Sequence, residues 1–112
     1  MAAGLVIGRF TGRMEYGPRA LGNRSIFVEA TDPEINHSLN SRLGRTEFMP
    51  FAPVIREETA GKCIKKFKKG DVSLNFMTST VNCTTTFLKS CPAVVHLDKT
   101  ARPQIVNKKS NN

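Results

Sequence analysis

The chain has 112 residues, with 17 basic and 9 acidic side chains and a formal net charge of +8. That length allows one small domain, and no apolar run is long enough for a membrane-crossing helix, nor does the start read as a secretory leader. Three cysteines, Cys63, Cys83 and Cys91, with no C-x-x-C pair, argue against a disulfide framework or a cysteine zinc site and for reduced thiols in a cytoplasmic protein.

Residues 5–10, Leu-Val-Ile-Gly-Arg-Phe, are a short apolar run that predicts a buried strand. A second strand is predicted over residues 25–29, which makes the segment between them a loop. Thr31-Asp32-Pro33-Glu34 reads as a helix start: Asp32 or Thr31 can cap, Pro33 suits the first turn, and Glu34 complements the dipole. This helix follows Ile35, Leu39 and Leu43, leaves Asn36 and His37 off its apolar stripe, and stops at Gly44. Residues 45–50 form a loop into a strand over 51–55, weakened by Pro53. Glu57 and Glu58 open a second helix, whose apolar face is Ala60, Cys63, Ile64 and Phe67, and which ends at Gly70-Asp71. Lys62, Lys65, Lys66, Lys68 and Lys69 read as its solvated face. Residues 71–91, rich in Ser, Thr and Asn, predict only extended chain or loop. Residues 93–97 predict a strand, and 102–106 another, entered through Pro103. Residues 107–112 are a polar tail. Strands alternating with two helices give an α/β (α+β) class.

The loop between the first two strands carries the densest chemistry. Residues 12–26 read G-R-M-E-Y-G-P-R-A-L-G-N-R-S-I. Arg13, Arg19 and Arg24 lie among Gly12, Gly17 and Gly22, with Pro18 directly before Arg19. Glycine lets backbone approach a ligand, proline stiffens the turn, and arginine offers a planar donor fork matched to phosphate or carboxylate. Asn23 and Ser25 can donate to phosphate or ribose, or can serve the loop's own backbone. Arg19 is the leading phosphate contact, its alternative being a salt bridge to Glu15 or Glu29. Arg13 and Arg24 are candidates of the same kind, either of which can instead pair with Glu15. A second constellation, His96, Asp98, Thr100 and Arg102, follows in H-L-D-K-T-A-R. Arg102 is its phosphate candidate, and His96 can orient an anionic substrate or be structural. Two histidines, His37 and His96, are too few for a metal cluster. No catalytic residue is assigned.

The long motif resembles the C-terminal region of the O-carbamoyltransferases of the nodulation, cephalosporin and tobramycin type. The likeness continues through Asp32-Pro33-Glu34, Asn40, P-F-A-P-V at 50–54 and P-A-V-V-H-L-D-K-T-A-R-P-Q at 92–104. The resemblance implies a twisted open mixed sheet with flanking helices, part of a YrdC-like domain, over residues 1–106. It implies a transferase in which ATP, with Mg²⁺ as its counter-ion, and carbamoyl phosphate form carbamoyladenylate. The carbamoyl group then passes to an acceptor hydroxyl in an N-terminal catalytic domain, where the family's iron-type metal belongs. The site carried over is Arg13, Arg19, Asn23, Arg24, Ser25, Arg45, His96 and Arg102. Family members are several times longer, so this chain is expected to be a fragment, incomplete and inactive alone, with open sheet edges available for self-association.

Two departures stand out. Lys99 occupies a place where many members have glycine, at a cost of about 1 kcal/mol if the backbone there needs positive φ. Met49 stands where many members carry a phosphate-binding cation, and Arg45 is the substitute candidate. Two other readings remain open: a basic nucleic-acid-binding module, from the charge and the lysine run, and a truncated, inactive remnant.

Overall fold

The structure, a computed structural model, describes residues 4–45 and 51–109. Strand β1 (Ile7–Phe10) pairs antiparallel with β2 (Arg24–Phe27), with Ile7 opposite Phe27 and Phe10 opposite Arg24. Helix α1 (Ile35–Arg42) follows, then β3 (Val54–Arg56) and α2 (Glu57–Cys63). A short 3-10 helix, Val72–Phe76, precedes β4 (Val81–Asn82) and α3 (Thr85–Ser90). A second 3-10 turn, Pro92–Val94, leads to β5 (Thr100–Ala101) and β6 (Gln104–Val106). The class is mixed α+β, as the alternation predicts. The strands of the described residues, however, are spread over three two-stranded pairings rather than one continuous sheet: β1 with β2, β3 with β6 in parallel, and β4 with β5 antiparallel.

The core gathers Ile55, Ala60, Ile64, Leu74, Cys83, Phe87, Val94, Ala101 and Ile105. All nine lie between residues 55 and 105, around the β3–β6 pair. Burial of such aliphatic and aromatic side chains contributes about 1.5–3 kcal/mol each. Cys83 is buried, and Cys63 and Cys91 are half-buried against the same cluster. Burial raises the pKa of all three thiols, so the protonated form is favoured.

Several sequence expectations are corrected. β1 forms, but every one of its residues is exposed instead of buried. Its partner β2 is no more than half-buried, because no second layer of described residues covers the ribbon. In α1, Asn36 is buried, not solvent-facing: its Nδ2 donates to the Ala93 carbonyl, fastening the helix to the Pro92–Val94 turn. Asp32 lies two residues ahead of the N-cap position, Glu34, and its Oδ1 accepts from the Glu34 amide ahead of the helix.

Helix α2 stops at Cys63 although the apolar spacing runs on to Phe67. Ile64 instead turns extended and bridges to Cys83, the Lys65 amide donates to the Asn82 carbonyl, and the Thr84 amide donates to the Cys63 carbonyl. The strand pairing outcompetes one more helical turn. Lys65, Lys66, Lys68 and Lys69 are therefore exposed on an irregular segment, and only Lys62 lies in the helix.

The segment read as loop holds α3, started by Thr84, whose Oγ1 accepts from the Phe87 amide at 3.3 Å. The strand expected over 93–97 is a 3-10 turn with Pro92 at its start, a position where proline's missing N–H is no loss. The strand expected over 102–106 forms as β6. Of the loop expected over 45–50, residues 46–50, Met49 among them, lie outside the described residues, as do the last three residues of the polar tail.

Candidate anion-binding site

The loop of residues 11–23 closes the β1–β2 ribbon, and one carboxylate organises it. Glu15 Oε1 accepts from the amides of Leu21 at 3.0 Å, Asn23 at 2.6 Å and Arg24 at 3.0 Å. These amides, that of Arg24 foremost, hold the Glu15 carboxyl at about 2, against an ordinary 4.5. Three of the motif's polar side chains then serve the loop's own backbone. The Arg24 guanidinium donates to the carbonyls of Thr11 at 2.6 Å and Gly12 at 3.0 Å and stacks 3.7 Å above the Phe10 ring. Asn23 Nδ2 donates to the Arg13 carbonyl at 2.9 Å, and Ser25 Oγ accepts from the Gly22 amide at 2.9 Å. Gly12 and Gly17, with φ of 58° and 126°, supply turns that a side chain would strain.

What remains is two uncommitted cations. Among the described residues, no hydrogen bond or ion pair engages the guanidinium of Arg13 or Arg19. Arg13 is exposed and Arg19 half-buried, and neither is joined to Glu15 or Glu29. A stiff loop that presents unpaired guanidinium groups can neutralise and orient an anion with little reorganisation.

The second motif is a tight reversal. The His96 amide donates to the Thr100 carbonyl at 2.8 Å, and the Lys99 amide to the His96 carbonyl at 3.0 Å. Lys99 has φ of 65°, the left-handed conformation that glycine adopts freely. The Thr100 hydroxyl donates to Asp98 Oδ1 at 2.6 Å and lies 3.3 Å from His96 Nδ1. That single hydroxyl proton is committed to Asp98, so Nδ1–H is the donor to Thr100 and Nε2 is left for another partner. The Thr100 hydroxyl and amide hold the Asp98 carboxyl below its ordinary value. Arg102 is half-buried, and its Nε is buried with no hydrogen-bond partner among the described residues. Arg45 is exposed, with its guanidinium 5.8 Å from the centre of the Phe51 ring.

The fold ties the arginine/glycine loop to the strand that follows the second motif. Gln104 Nε2, on β6, donates to the Leu21 carbonyl at 2.8 Å. The bond ties a residue two places from Arg102 to one two places from Arg19. Glu15 and Gln104 are the residues that motif reading undervalued. Each had a signal: Glu15 is the lone acid between Arg9 and Val28, and Gln104 is a polar residue inside an apolar strand. Among the described residues, no group of three His, Cys, Asp or Glu side chains is placed to hold a metal ion.

The whole chain, residues 1–112, matches the family described as "Carbamoyltransferase C-terminus". It is 38% identical, over 99% of its length, to an uncharacterised protein of Methanocaldococcus jannaschii, of which it spans 18%. It is 39% identical to nodulation protein NolO of Bradyrhizobium diazoefficiens over 99% of the chain and 20% of that protein. The 3'-hydroxymethylcephem-O-carbamoyltransferase of Streptomyces clavuligerus is 37% identical over the same shares. The chain thus spans about a fifth of the length of these curated relatives.

Proposed function

Because the chain belongs to the carbamoyltransferase C-terminal family, we propose that it supplies the phosphate-holding part of an O-carbamoyltransferase, where ATP and carbamoyl phosphate meet to form carbamoyladenylate. Two strongly anionic substrates repel each other, so most of what a protein can add is charge neutralisation and alignment. The observation that carries the reading is the pair Arg13 and Arg19, unpaired among the described residues on a loop that Glu15 braces. Arg102, tied close in sequence to the Gln104 contact with that loop, adds a third cation. His96, with Nδ1–H given to Thr100, leaves Nε2 to meet a substrate. Mg²⁺ enters with ATP as part of the substrate. Acceptor choice and the transfer step are assigned to the rest of a full-length enzyme, so carbamoylated product is not expected from this chain alone.

Calorimetric titration of Mg·ATP and of carbamoyl phosphate, separately, tests the reading. Saturable binding is expected, weakened about tenfold or more by Arg19→Ala and by Arg102→Ala, the scale of one lost charge-assisted contact. A folded chain that binds neither substrate would overturn it, in favour of a scaffold that persists without its site.

A second reading has its own observation. Lys62, Lys65, Lys66, Lys68 and Lys69 are all exposed, and the ion pair found among them is a 4.0 Å contact of Lys69 with Glu57. Such a run attracts polyanions through counter-ion release. Salt-sensitive binding to random duplex, unchanged by Arg19→Ala, would favour a nucleic-acid role.

A further inference from the structure

Among the described residues, the hydrogen bond from Gln104 to the Leu21 carbonyl is the one that joins the loop of residues 11–23 to the core half of the chain. The other loop bonds are internal: Glu15 to three amides, Arg24 to Thr11 and Gly12, Asn23 to Arg13, and the Thr11 amide to the Asn23 carbonyl. Internal bonds fix the loop's shape but not its place.

Gln104 is suited to fixing the place. It is 6% exposed, its amide donates to the Pro53 carbonyl at 2.9 Å, and β6 is held parallel to β3 with Ile105 in the core. Pro103, directly before it, is among the most deeply buried side chains. The donor therefore stands on a strand anchored in the core, and it grips the loop two residues from Arg19.

We propose that Gln104 is a positioning residue: its carboxamide locks the arginine/glycine loop onto the core and so sets where the Arg19 guanidinium meets a phosphate. The inference rests on the phosphate reading of the loop given above. A planar guanidinium needs its approach fixed to a fraction of an ångström for paired hydrogen bonds, whereas a lysine ammonium, a point charge on a flexible stem, does not. The latch should therefore matter with arginine at position 19 and matter little with lysine there.

The test uses the full chain in four forms: wild type, Gln104→Met, Arg19→Lys, and the double variant. Methionine keeps the volume and removes the donor. Amide exchange reads the loop, thermal unfolding reads the fold, and calorimetry with Mg·ATP reads the site. The expected result is a folded Gln104→Met chain whose amides over residues 11–23 exchange faster while those of β3 and β6 do not. Its dissociation constant for Mg·ATP should rise about tenfold with Arg19 in place and less than about twofold in the Arg19→Lys background, a coupling only linked residues show. Unchanged loop exchange in the folded variant would overturn the latch, and an equal loss of affinity in both backgrounds would overturn its positioning role. If the wild type binds no Mg·ATP, the phosphate reading fails and the proposal with it, an outcome told apart from a failed latch by the exchange data. Should Gln104→Met unfold, Gln104→Asn, one methylene too short to reach Leu21, carries the same test.

Discussion

Glu15 shows how one side chain can turn a flexible sequence into a defined loop. With three glycines and a proline, residues 12–22 have no helical or strand pattern to hold them, and a single carboxylate substitutes for both by collecting three amides. Its folded pKa lies below the unfolded one, so the brace is fully present above about pH 4.5 and is lost as pH falls through about 2. Glu15→Gln mimics the protonated form at neutral pH. The amides of Leu21, Asn23 and Arg24 should then lose severalfold of their exchange protection, with little change in the core. The motif's arginines were legible in the sequence, but their division of labour was not. Arg24 turns inward because the Thr11 and Gly12 carbonyls and the Phe10 ring lie across the ribbon from it, a register that becomes visible only once β1 and β2 are paired. Lys99 is the opposite case, since the departure from glycine was visible and the structure supplies its φ of 65°. Lys99→Gly should raise stability by about 1 kcal/mol in denaturant unfolding, by relieving left-handed strain.

At the scale of elements, local pattern located pieces and long-range pairing set their ends. The strand at 104–106 was legible because the β-branched pair Ile105 and Val106 lies between Pro103 and the polar tail. The end of α2 was not, since Ile64 and Phe67 continue the helical spacing and only the Cys83 bridge, nineteen residues on, decides against it. α3 was hidden by its composition: threonine is a weak helix former, and the signal was Thr84 as a cap ahead of Phe87 and Leu88. Thr84 also donates from Oγ1 to the Lys62 carbonyl at 2.6 Å, capping α3 while satisfying the end of α2. Thr84→Ala removes both contacts and should cost about 1–2 kcal/mol in equilibrium unfolding. Loss of less than a few tenths of that would show that water replaces the hydroxyl at both ends.

The molecule as a whole is divided unevenly. The core sits within residues 55–105, while the ribbon that presents the candidate site leaves Leu5, Phe10, Met14, Tyr16 and Ile26 exposed. Regions with few buried contacts open at low free energy, and the core opens only with global unfolding. Amides of the β1–β2 pair should accordingly exchange through local opening insensitive to mild denaturant, and those of Ile55 and Ile105 with the denaturant dependence of the whole chain. Uniform exchange behaviour across both would mean that ribbon and core unfold as one unit. The three thiols described with the core carry a practical consequence of this division. Cys63 and Cys91 are half-buried, but Cys83, at 2% exposure and with its thiol pKa raised by burial, is closed to alkylating reagents while the core is intact. Alkylation of Cys83 therefore runs as a clock on core opening alone, blind to the motions of the ribbon. A ligand that seats on the loop can be asked, by whether it slows that clock, how far its grip extends into the body of the protein.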